Sequence, residues 1–283
     1  MKRDVIKYIS DKMNSFSKGQ RAIARYIVNS YDKAAFMTAN ELGRSVGVSE
    51  STVVRFAAQL GYDGYPGMQR ALQEMIKSKL TSVQRMEVGN DRIMDVLPTV
   101  LQSDIENIRC TLEENSREDF NTAVDKIIKA RRIYILGVRS SAAIASFMAF
   151  YFNLIFENVK LISTNSASEM FEQMLRVSPE DVVIAISFPR YSKRTVQAMN
   201  YSANMGACVI AITDSPESPV AGAATHLLLA RSDMVSFVDS LTAPMSLVNA
   251  LIVAVGRRNN EKLAATFEKL ENIWDEYEVY EKI

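Results

Sequence analysis

Residues 38–61 read TANELGRSVGVSESTVVRFAAQLG and predict two short helices joined by a tight turn. Thr38, followed three residues later by Glu41, fits a capping box at the start of the first helix. Gly47 can adopt a positive φ without steric cost and ends that helix, and Ser49 is placed to begin the next. The stretch therefore predicts a helix-turn-helix with helices at Ala39–Val46 and Glu50–Leu60.

The second of these helices has one apolar side and one polar side. Val53, Phe56, Ala57 and Leu60 recur at helical spacing and form a stripe for packing. Short hydroxyls, a guanidinium and an amide on the other side can read base edges in the major groove of DNA. An ordinary helical hairpin with a solvated polar face is the alternative. The candidate DNA-binding residues, including flanking positions, are Arg44, Ser49, Ser51, Thr52, Arg55 and Gln59.

The charge of the chain is unevenly distributed. Lys and Arg equal Asp and Glu at 33 each over 283 residues, but residues 1–80 carry 13 basic against 7 acidic side chains. Arg21, Arg25 and Lys33 lie on neighbouring polar positions and would attract phosphates regardless of sequence. A basic first quarter on an acidic remainder indicates that one end of the chain meets a polyanion.

Beyond residue 131 the pattern changes to short apolar runs that alternate with helical stretches. Such runs are typical of strands covered on both faces, and the alternation with helices predicts a doubly wound parallel α/β sandwich. The predicted fold is therefore α plus α/β, with a helix-turn-helix domain at 1–78, a linker and connecting helix at 79–105, and the α/β domain at 106–283. The predicted strands are Ile133–Leu136, Val159–Ile162, Val182–Ile186, Cys208–Ile212 and Leu227–Leu229.

Hydroxyl-rich segments follow three of the predicted strands. In open parallel sheets, ligands bind beyond the carboxyl ends of the strands, and glycine and hydroxyls ahead of a helix can hold an anion. Each segment taken alone could equally be a helix cap, but three at one sheet edge favour a ligand site. The candidate effector-binding residues are Gly137, Arg139, Ser140, Ser141, Ser187, Arg190, Ser192, Thr213 and Ser215.

The stretches MTANEL (37–42), VGVSESTVVRF (46–56) and LGYDGY (60–65) resemble the N-terminal DNA-binding domain of the RpiR/MurR family of bacterial transcriptional regulators. The resemblance extends over the whole chain, since that family continues into a sugar isomerase (SIS) domain, which is flavodoxin-like. It implies a homodimer or homotetramer on palindromic double-stranded operator DNA, with a phosphorylated sugar as the effector.

The effector loops match the SIS pattern only in part. The first loop is similar to Gly-x-Gly-x-Ser at Gly137 and Ser141, and the second to Ser-x-Ser-Gly-x-Thr at Ser187 and Ser192. Where the family has small residues, this chain has Arg139, Pro189 and Arg190. We expect the two guanidinium groups to contact an acidic group of the effector. Alternatively they point to solvent or pair with Glu169 or Glu172.

An enzymatic role is the competing hypothesis, namely a phosphosugar isomerase with a helical N-terminal appendage. Isomerisation needs a general base beside a carbonyl, usually a carboxylate or a histidine. Glu169 and Glu172 are the acids nearest a ligand, and His226, the sole histidine, is expected to be a hydrogen-bonded structural residue. The sequence therefore favours a regulator over an enzyme and predicts no catalytic residue.

The remaining composition predicts a cytoplasmic protein without cofactor or metal. Two cysteines, Cys110 and Cys208, form neither a disulfide framework nor a zinc pattern. The uncharged runs 140–156 and 240–256 are short for a membrane span, so no membrane partner is expected. Because helices in these runs would be apolar on nearly every side, they are expected to pack against a second subunit, and residues 261–280 either close that interface or pack as an ordinary helix.

Overall fold

A computed structural model describes residues 5–79, 81, 83–86, 95–164, 166–233 and 236–281. The chain divides into two compact units, Met1–Asp95 and Val96–Ile283.

The first unit is entirely helical over its described residues. Thr38 with Glu41 forms a complete capping box, as predicted, and Ser17 with Gln20 forms a second one, so the backbone N–H groups in the first turns of two helices have hydrogen-bond acceptors. The helices are α1 (Val5–Asp11), α2 (Lys18–Asn29), α3 (Tyr31–Ala34), α4 (Ala39–Val46), α5 (Glu50–Gln59) and α6 (Gly64–Lys79), with a 3-10 turn at Met13–Ser15.

One apolar core holds these helices together. Phe56 from α5 meets Phe16 edge to face, with the ring centroids 5.1 Å apart, and all four predicted packing residues of α5 or its end are buried. Helix α6 closes the unit, because the Tyr65 hydroxyl donates to the Met37 carbonyl at 2.6 Å. The predicted stripe thus orients α5 with its polar side outward.

The second unit is a five-stranded parallel sheet between two layers of helices. Its strands are β1 (Ile133–Gly137), β2 (Val159–Ile162), β3 (Val182–Ile186), β4 (Cys208–Thr213) and β5 (His226–Leu229). Its helices are α7 (Val96–Glu114), α8 (Arg117–Lys129), α9 (Ser141–Ile155), α10 (Ala167–Met174), α11 (Lys193–Asn204), α12 (Thr242–Arg258) and α13 (Asn260–Glu276), with a 3-10 turn at Ala221–Ala223.

The strand order is β2-β1-β3-β4-β5, all parallel. Alternate side chains of β1 enter different cores: Ile133 and Ile135 face the layer of α8, α9 and α12, whereas Tyr134 and Leu136 face α10 and α11. Both faces of the sheet are therefore covered, which confirms the predicted α plus doubly wound α/β fold class.

Helix α7, the first helix of the second unit, is joined to the rest of that unit by side-chain hydrogen bonds along its length. Asp104 accepts from the hydroxyls of Ser240 and Thr242, and Glu114 pairs with Arg231. The predicted domain boundary at residue 106 falls inside this helix. Because Asp104 belongs to the contact set, the first turns of α7 lie with the second unit as well.

The outer helices cover one another more than the sequence suggested. Helix α9 packs against α12 and α13 of the same chain, and its apolar side chains Ile144, Met148 and Phe152 are buried. These contacts account for much of the all-round apolar character that we ascribed to a second subunit, since α13 supplies a third neighbour. Phe150 and Val253 remain exposed.

Candidate functional site

The turn between α4 and α5 is set by two glycines. Gly47 has a φ of 71° and ends α4 in the left-handed conformation, as predicted. Gly43 lies under the turn, where an added Cβ would be 2.8 Å from the Val48 carbonyl oxygen. The backbone therefore approaches α4 more closely than any larger residue permits, which fixes the angle at which α5 leaves the turn.

The outer face of α5 presents the polar residues that the sequence singled out. Ser51, Arg55 and Gln59 are exposed, Thr52 is half-buried, and Arg44 on α4 is exposed. The Arg55 Nε donates to the Ser51 carbonyl at 3.2 Å, which holds the start of the side chain along the helix. The α5 candidates thus share one side of that helix, and Arg44 is exposed on the helix before it.

Ser49 differs from the prediction in one respect. It occupies the N-cap position of α5, but its side chain makes no capping hydrogen bond. Its hydroxyl instead lies 2.9 Å from the hydroxyls of both Ser51 and Thr52. The reason is local competition, since three hydroxyls within one turn can bond to each other rather than to the backbone.

Two further residues are tied to the protein itself. The Gln20 side chain donates to the Gln59 side-chain oxygen, so the amide of Gln59 is linked to α2. Arg21, expected to attract phosphate, is half-buried and donates to the Phe16 carbonyl at 3.1 Å. The sequence pattern did not indicate these contacts. Gln20 is 39 residues away from Gln59, and the acceptor of Arg21 is a backbone carbonyl, which the side-chain pattern does not specify.

Val54, which is not among the predicted DNA-binding residues, is 39% exposed on the outer face of α5. Its signal was available, because it lies off the apolar stripe of that helix. An aliphatic side chain at such a position suits contact with the methyl group of thymine.

The second candidate site lies where the strands of the sheet end. Gly137 is paired in register with Ile186, and Ile186 with Ile212, so β1, β3 and β4 release their loops at the same level. The crossover from β1 leads outward to β2, whereas β3 lies on the other side of β1. The loops after β1 and β3 therefore flank a topological switch point, the usual ligand crevice of such sheets.

The loop after β1 is shaped by close backbone packing. A Cβ on Gly137 would lie 2.5 Å from the Ser141 carbonyl oxygen, so only glycine fits there. Ser141 is buried, whereas Ser140 is exposed and makes no capping bond from its side chain. Arg139 is exposed with a φ of 57°, an uncommon conformation for a residue with a side chain.

The loops after β3 and β4 are joined by a hydrogen bond. The Tyr191 hydroxyl donates to Asp214 Oδ1 at 2.8 Å, and Asp214 is itself buried. Thr213 is fully buried and donates to the same oxygen at 3.3 Å, so it positions Asp214 and does not face solvent. Tyr191 and Asp214 are not among the predicted effector-binding residues.

The other predicted effector residues differ in their accessibility. Ser187 is buried at the end of β3, and Arg190 is exposed. Ser192 caps α11 by accepting from the Thr195 backbone N–H at 3.4 Å, and Ser215 accepts from the Glu217 backbone N–H at 3.2 Å. Ser192 and Ser215 thus also serve as local turn and cap residues.

The candidate bases for an enzyme have other neighbours. Glu169 accepts from the Thr164 hydroxyl, and Glu172 accepts from the Ser168 hydroxyl at 2.8 Å. His226 is the first residue of β5, at the amino-terminal ends of the strands and opposite the candidate effector loops. Its Nε2 is buried without a hydrogen-bond partner among the described residues. This corrects the expectation of a hydrogen-bonded histidine. Desolvation, together with Lys126, lowers the pKa of His226.

Among the described residues, no three His, Cys, Asp or Glu side chains form a group suited to a metal ion. In the same part of the chain, no helix has both the length and the apolar character needed to cross a membrane.

A helix-turn-helix with an exposed polar second helix, followed by a five-stranded parallel sheet covered by helices on both faces, defines the class of two-domain proteins that join a helix-turn-helix to an α/β domain. Residues 3–79 match the helix-turn-helix domain of the rpiR family, and residues 126–254 match the SIS domain. Together the two matches cover most of the chain, and the chain belongs to the rpiR family of helix-turn-helix regulators with a SIS domain.

Relatives match most of the chain or its second unit. It is 26% identical to the uncharacterized HTH-type transcriptional regulator YfhH of Escherichia coli K12, over 78% of this chain and 79% of the relative. Among solved structures, the sugar isomerase domain of an RpiR transcription factor from Sphaerobacter thermophilus is 28% identical, with a TM-score of 0.60 over 62% of this chain and 98% of that domain. NanR of Vibrio vulnificus, solved with ManNAc-6P, is 22% identical, with a TM-score of 0.59 over 95% of this chain and 98% of its own.

Proposed function

We propose that this protein is a one-component transcriptional regulator of sugar metabolism. Its first unit binds operator DNA through α5, and its second unit binds a phosphorylated sugar or a related acidic effector that modulates operator binding. The observation that carries the proposal is the exposed polar face of α5, held by the glycine turn in a basic helical unit. An effector acts by binding two arrangements of the protein with different affinity.

DNA binding is tested by gel shift with the DNA that flanks the gene of this protein. Because Lys and Arg release counterions from phosphates, affinity is expected to fall steeply between low and moderate salt. Absence of binding even at low salt would contradict the first half of the proposal.

Arg55→Ala separates base contact from phosphate contact. We expect it to weaken binding to the operator by about 1–3 kcal/mol and to affect random DNA much less. Arg25→Ala, an exposed arginine on α2, is the comparison and should weaken both DNAs alike. An equal loss on both DNAs for Arg55→Ala would assign that residue to phosphate contact.

Effector binding is supported by the switch-point crevice and by the similarity in fold to a NanR protein that was solved with ManNAc-6P. A thermal-shift screen of sugar phosphates, with ManNAc-6P included, identifies ligands because a compound that binds only the folded state raises the melting temperature. Calorimetry then compares Arg139→Ala and Arg190→Ala with the control Arg176→Ala. Arg176 precedes β3 in the chain, whereas the two loop arginines follow β1 and β3. Unchanged affinity in both loop variants would exclude these arginines from the effector site.

A phosphosugar isomerase is the second candidate, favoured by the match of the second unit to a sugar isomerase domain. The same purified protein tests this candidate, since an isomerase converts its sugar phosphate at a rate proportional to the protein concentration. Turnover at an enzymatic rate without DNA binding would replace the regulator with the enzyme.

The regulator is proposed to act as a homodimer or homotetramer. A palindromic operator presents two half-sites related by a two-fold axis, and a symmetric dimer matches that geometry.

A further inference from the structure

Helix α7 has three distinct faces. One face packs against the rest of the second unit. It makes hydrogen bonds and an ion pair to residues between Arg231 and Thr242, and its members are Asp104, Asn107, Thr111 and Glu114. A second is exposed and polar, with Gln102, Glu106, Arg109 and Glu113. The third is exposed and apolar, and we call it the α7 stripe: Leu97, Leu101, Ile105, Ile108 and Leu112.

The spacing of the α7 stripe is that of a helix-pairing seam. Its members follow one another at intervals of four, four, three and four residues. The last four alternate as the a and d positions of a heptad repeat do. Leu97, Ile105 and Leu112 are 68%, 58% and 78% exposed. A helix that only faces water has no reason to separate its exposed surface into an aliphatic and a charged side.

The charges beside the stripe are satisfied within the chain. Arg109 pairs with Glu106 at 2.7 Å and with Glu113 at 3.0 Å, and Asp104 on the other margin accepts from Ser240 and Thr242. An occupant therefore meets aliphatic surface between margins whose charged groups have hydrogen-bond or ion-pair partners within the chain. Such a surface fits another aliphatic seam, and it fits neither nucleic acid nor a charged peptide.

We propose that the α7 stripe pairs with the α7 stripe of a second copy of this chain. Leu and Ile side chains at a and d positions interdigitate with an identical seam as knobs into holes. The five side chains are 39–78% exposed, which makes the stripe an apolar patch of a few hundred Å², the size that marks interaction sites. Two such patches packed face to face approach the roughly 1,000 Å² that a specific interface buries. Helix α7 begins at Val96, the first residue of the second unit.

The test compares Ile105→Asp with Gln102→Asp in the full-length protein. Both add one negative charge to an exposed position of α7, but only Ile105 belongs to the stripe. Sedimentation equilibrium without DNA or effector is expected to show self-association weakened about tenfold or more by Ile105→Asp, because two carboxylates would face each other in the seam. Gln102→Asp should leave it within about twofold of the unmodified chain.

Three results would overturn the pairing. These are a monomeric unmodified chain, equal association constants for the two variants, or a concentration-independent drop in melting temperature for Ile105→Asp with association unchanged. The last outcome means that another part of the same chain covers the stripe.

A second measurement does not depend on a destabilising charge. Ile105→Cys, in a chain with Cys110→Ser and Cys208→Ala, is expected to form covalent dimers with a short bismaleimide at low protein concentration. Glu113→Cys on the polar face of α7 is the control and should remain monomeric. Similar yields from the two positions would show random collision and would contradict the proposal. Because neither measurement uses DNA or effector, its failure is distinct from failure of the regulatory function.

Discussion

Asp181 shows how one buried carboxylate fastens the start of β3. Arg131 donates to both of its oxygens, at 3.0 and 2.9 Å, and the Ser178 backbone N–H donates at 2.9 Å. Burial opposes ionisation of Asp181, but these hydrogen bonds outweigh it and hold its pKa below the usual range. The carboxylate is therefore charged at neutral pH, and the hydrogen bonds at the start of β3 depend on that charge.

Asp181→Asn is expected to lower the free energy of unfolding at pH 7 by about 1–3 kcal/mol, because Arg131 loses its charged acceptor. Since the folded-state pKa is depressed, this stability is present above the unfolded pKa and is lost as the pH falls through the folded pKa. Urea denaturation at pH 7 and near pH 3 measures both effects. Glu180→Gln, on an exposed acid 3.7 Å from Arg131, should change little. A cost for Asp181→Asn that is undiminished at low pH would contradict this account.

Tyr65 offers an independent check in the first unit. Desolvation, with a contribution from Glu41, raises the pKa of Tyr65 to about 12. Its raised pKa means that the stability it contributes is complete below about pH 10, its unfolded value, and declines as the pH rises through the folded value. Denaturation of the unmodified chain and of Tyr65→Phe from pH 8 to 11.5 should show the advantage of tyrosine shrinking above about pH 10. A constant difference would argue against the buried hydroxyl.

At the scale of elements, the contact between α4 and the turn that follows it determines the geometry of the DNA-binding surface. Two glycines in helices of the first unit provide a matched pair. A Cβ on Gly43 would be 2.8 Å from a backbone oxygen, whereas a Cβ on Gly67 would meet only the Tyr62 Cβ at 3.7 Å.

Gly43→Ala is expected to destabilise the protein by about 1–3 kcal/mol through overpacking against the turn. Gly67→Ala is expected to stabilise it by about 0.5–1 kcal/mol, since alanine loses less entropy in a helix than glycine. Chemical denaturation gives both values, and gel shift should show weakened DNA binding for Gly43→Ala alone. Equal effects of the two substitutions would mean that the turn relaxes freely.

At the scale of the whole molecule, the division of the chain follows from α7. This helix contributes hydrogen bonds to the segment after β5 from Asp104 as well as from residues nearer its C-terminal end. A boundary drawn at residue 106 therefore removes part of the second unit.

A fragment of residues 96–283 is expected to fold by itself and to melt a few degrees above a fragment of residues 106–283. The shorter fragment loses both hydrogen bonds to Asp104, worth about 1–2 kcal/mol. Calorimetry of the two fragments measures the difference. Asp104→Asn in the longer fragment should reproduce part of the loss, and identical melting temperatures would return the boundary to residue 106.

The sequence by itself determined the elements and their order. Capping boxes at Ser17 and Thr38, the left-handed Gly47 and the apolar runs of the strands are local signals, because helix caps and strand periodicity depend on neighbours in the chain. From these signals followed the helix-turn-helix, the parallel sheet and the edge at which its loops gather.

Tertiary structure alone decided which side chains at those places are available. Gln59 is hydrogen-bonded to Gln20, Thr213 is buried and donates to Asp214, and α9 packs against α12 and α13. The α7 stripe is recognisable only once its opposite face is known to bind the segment after β5. These contacts join residues far apart in the chain, and spacing along one element carries no information about which distant element packs against it.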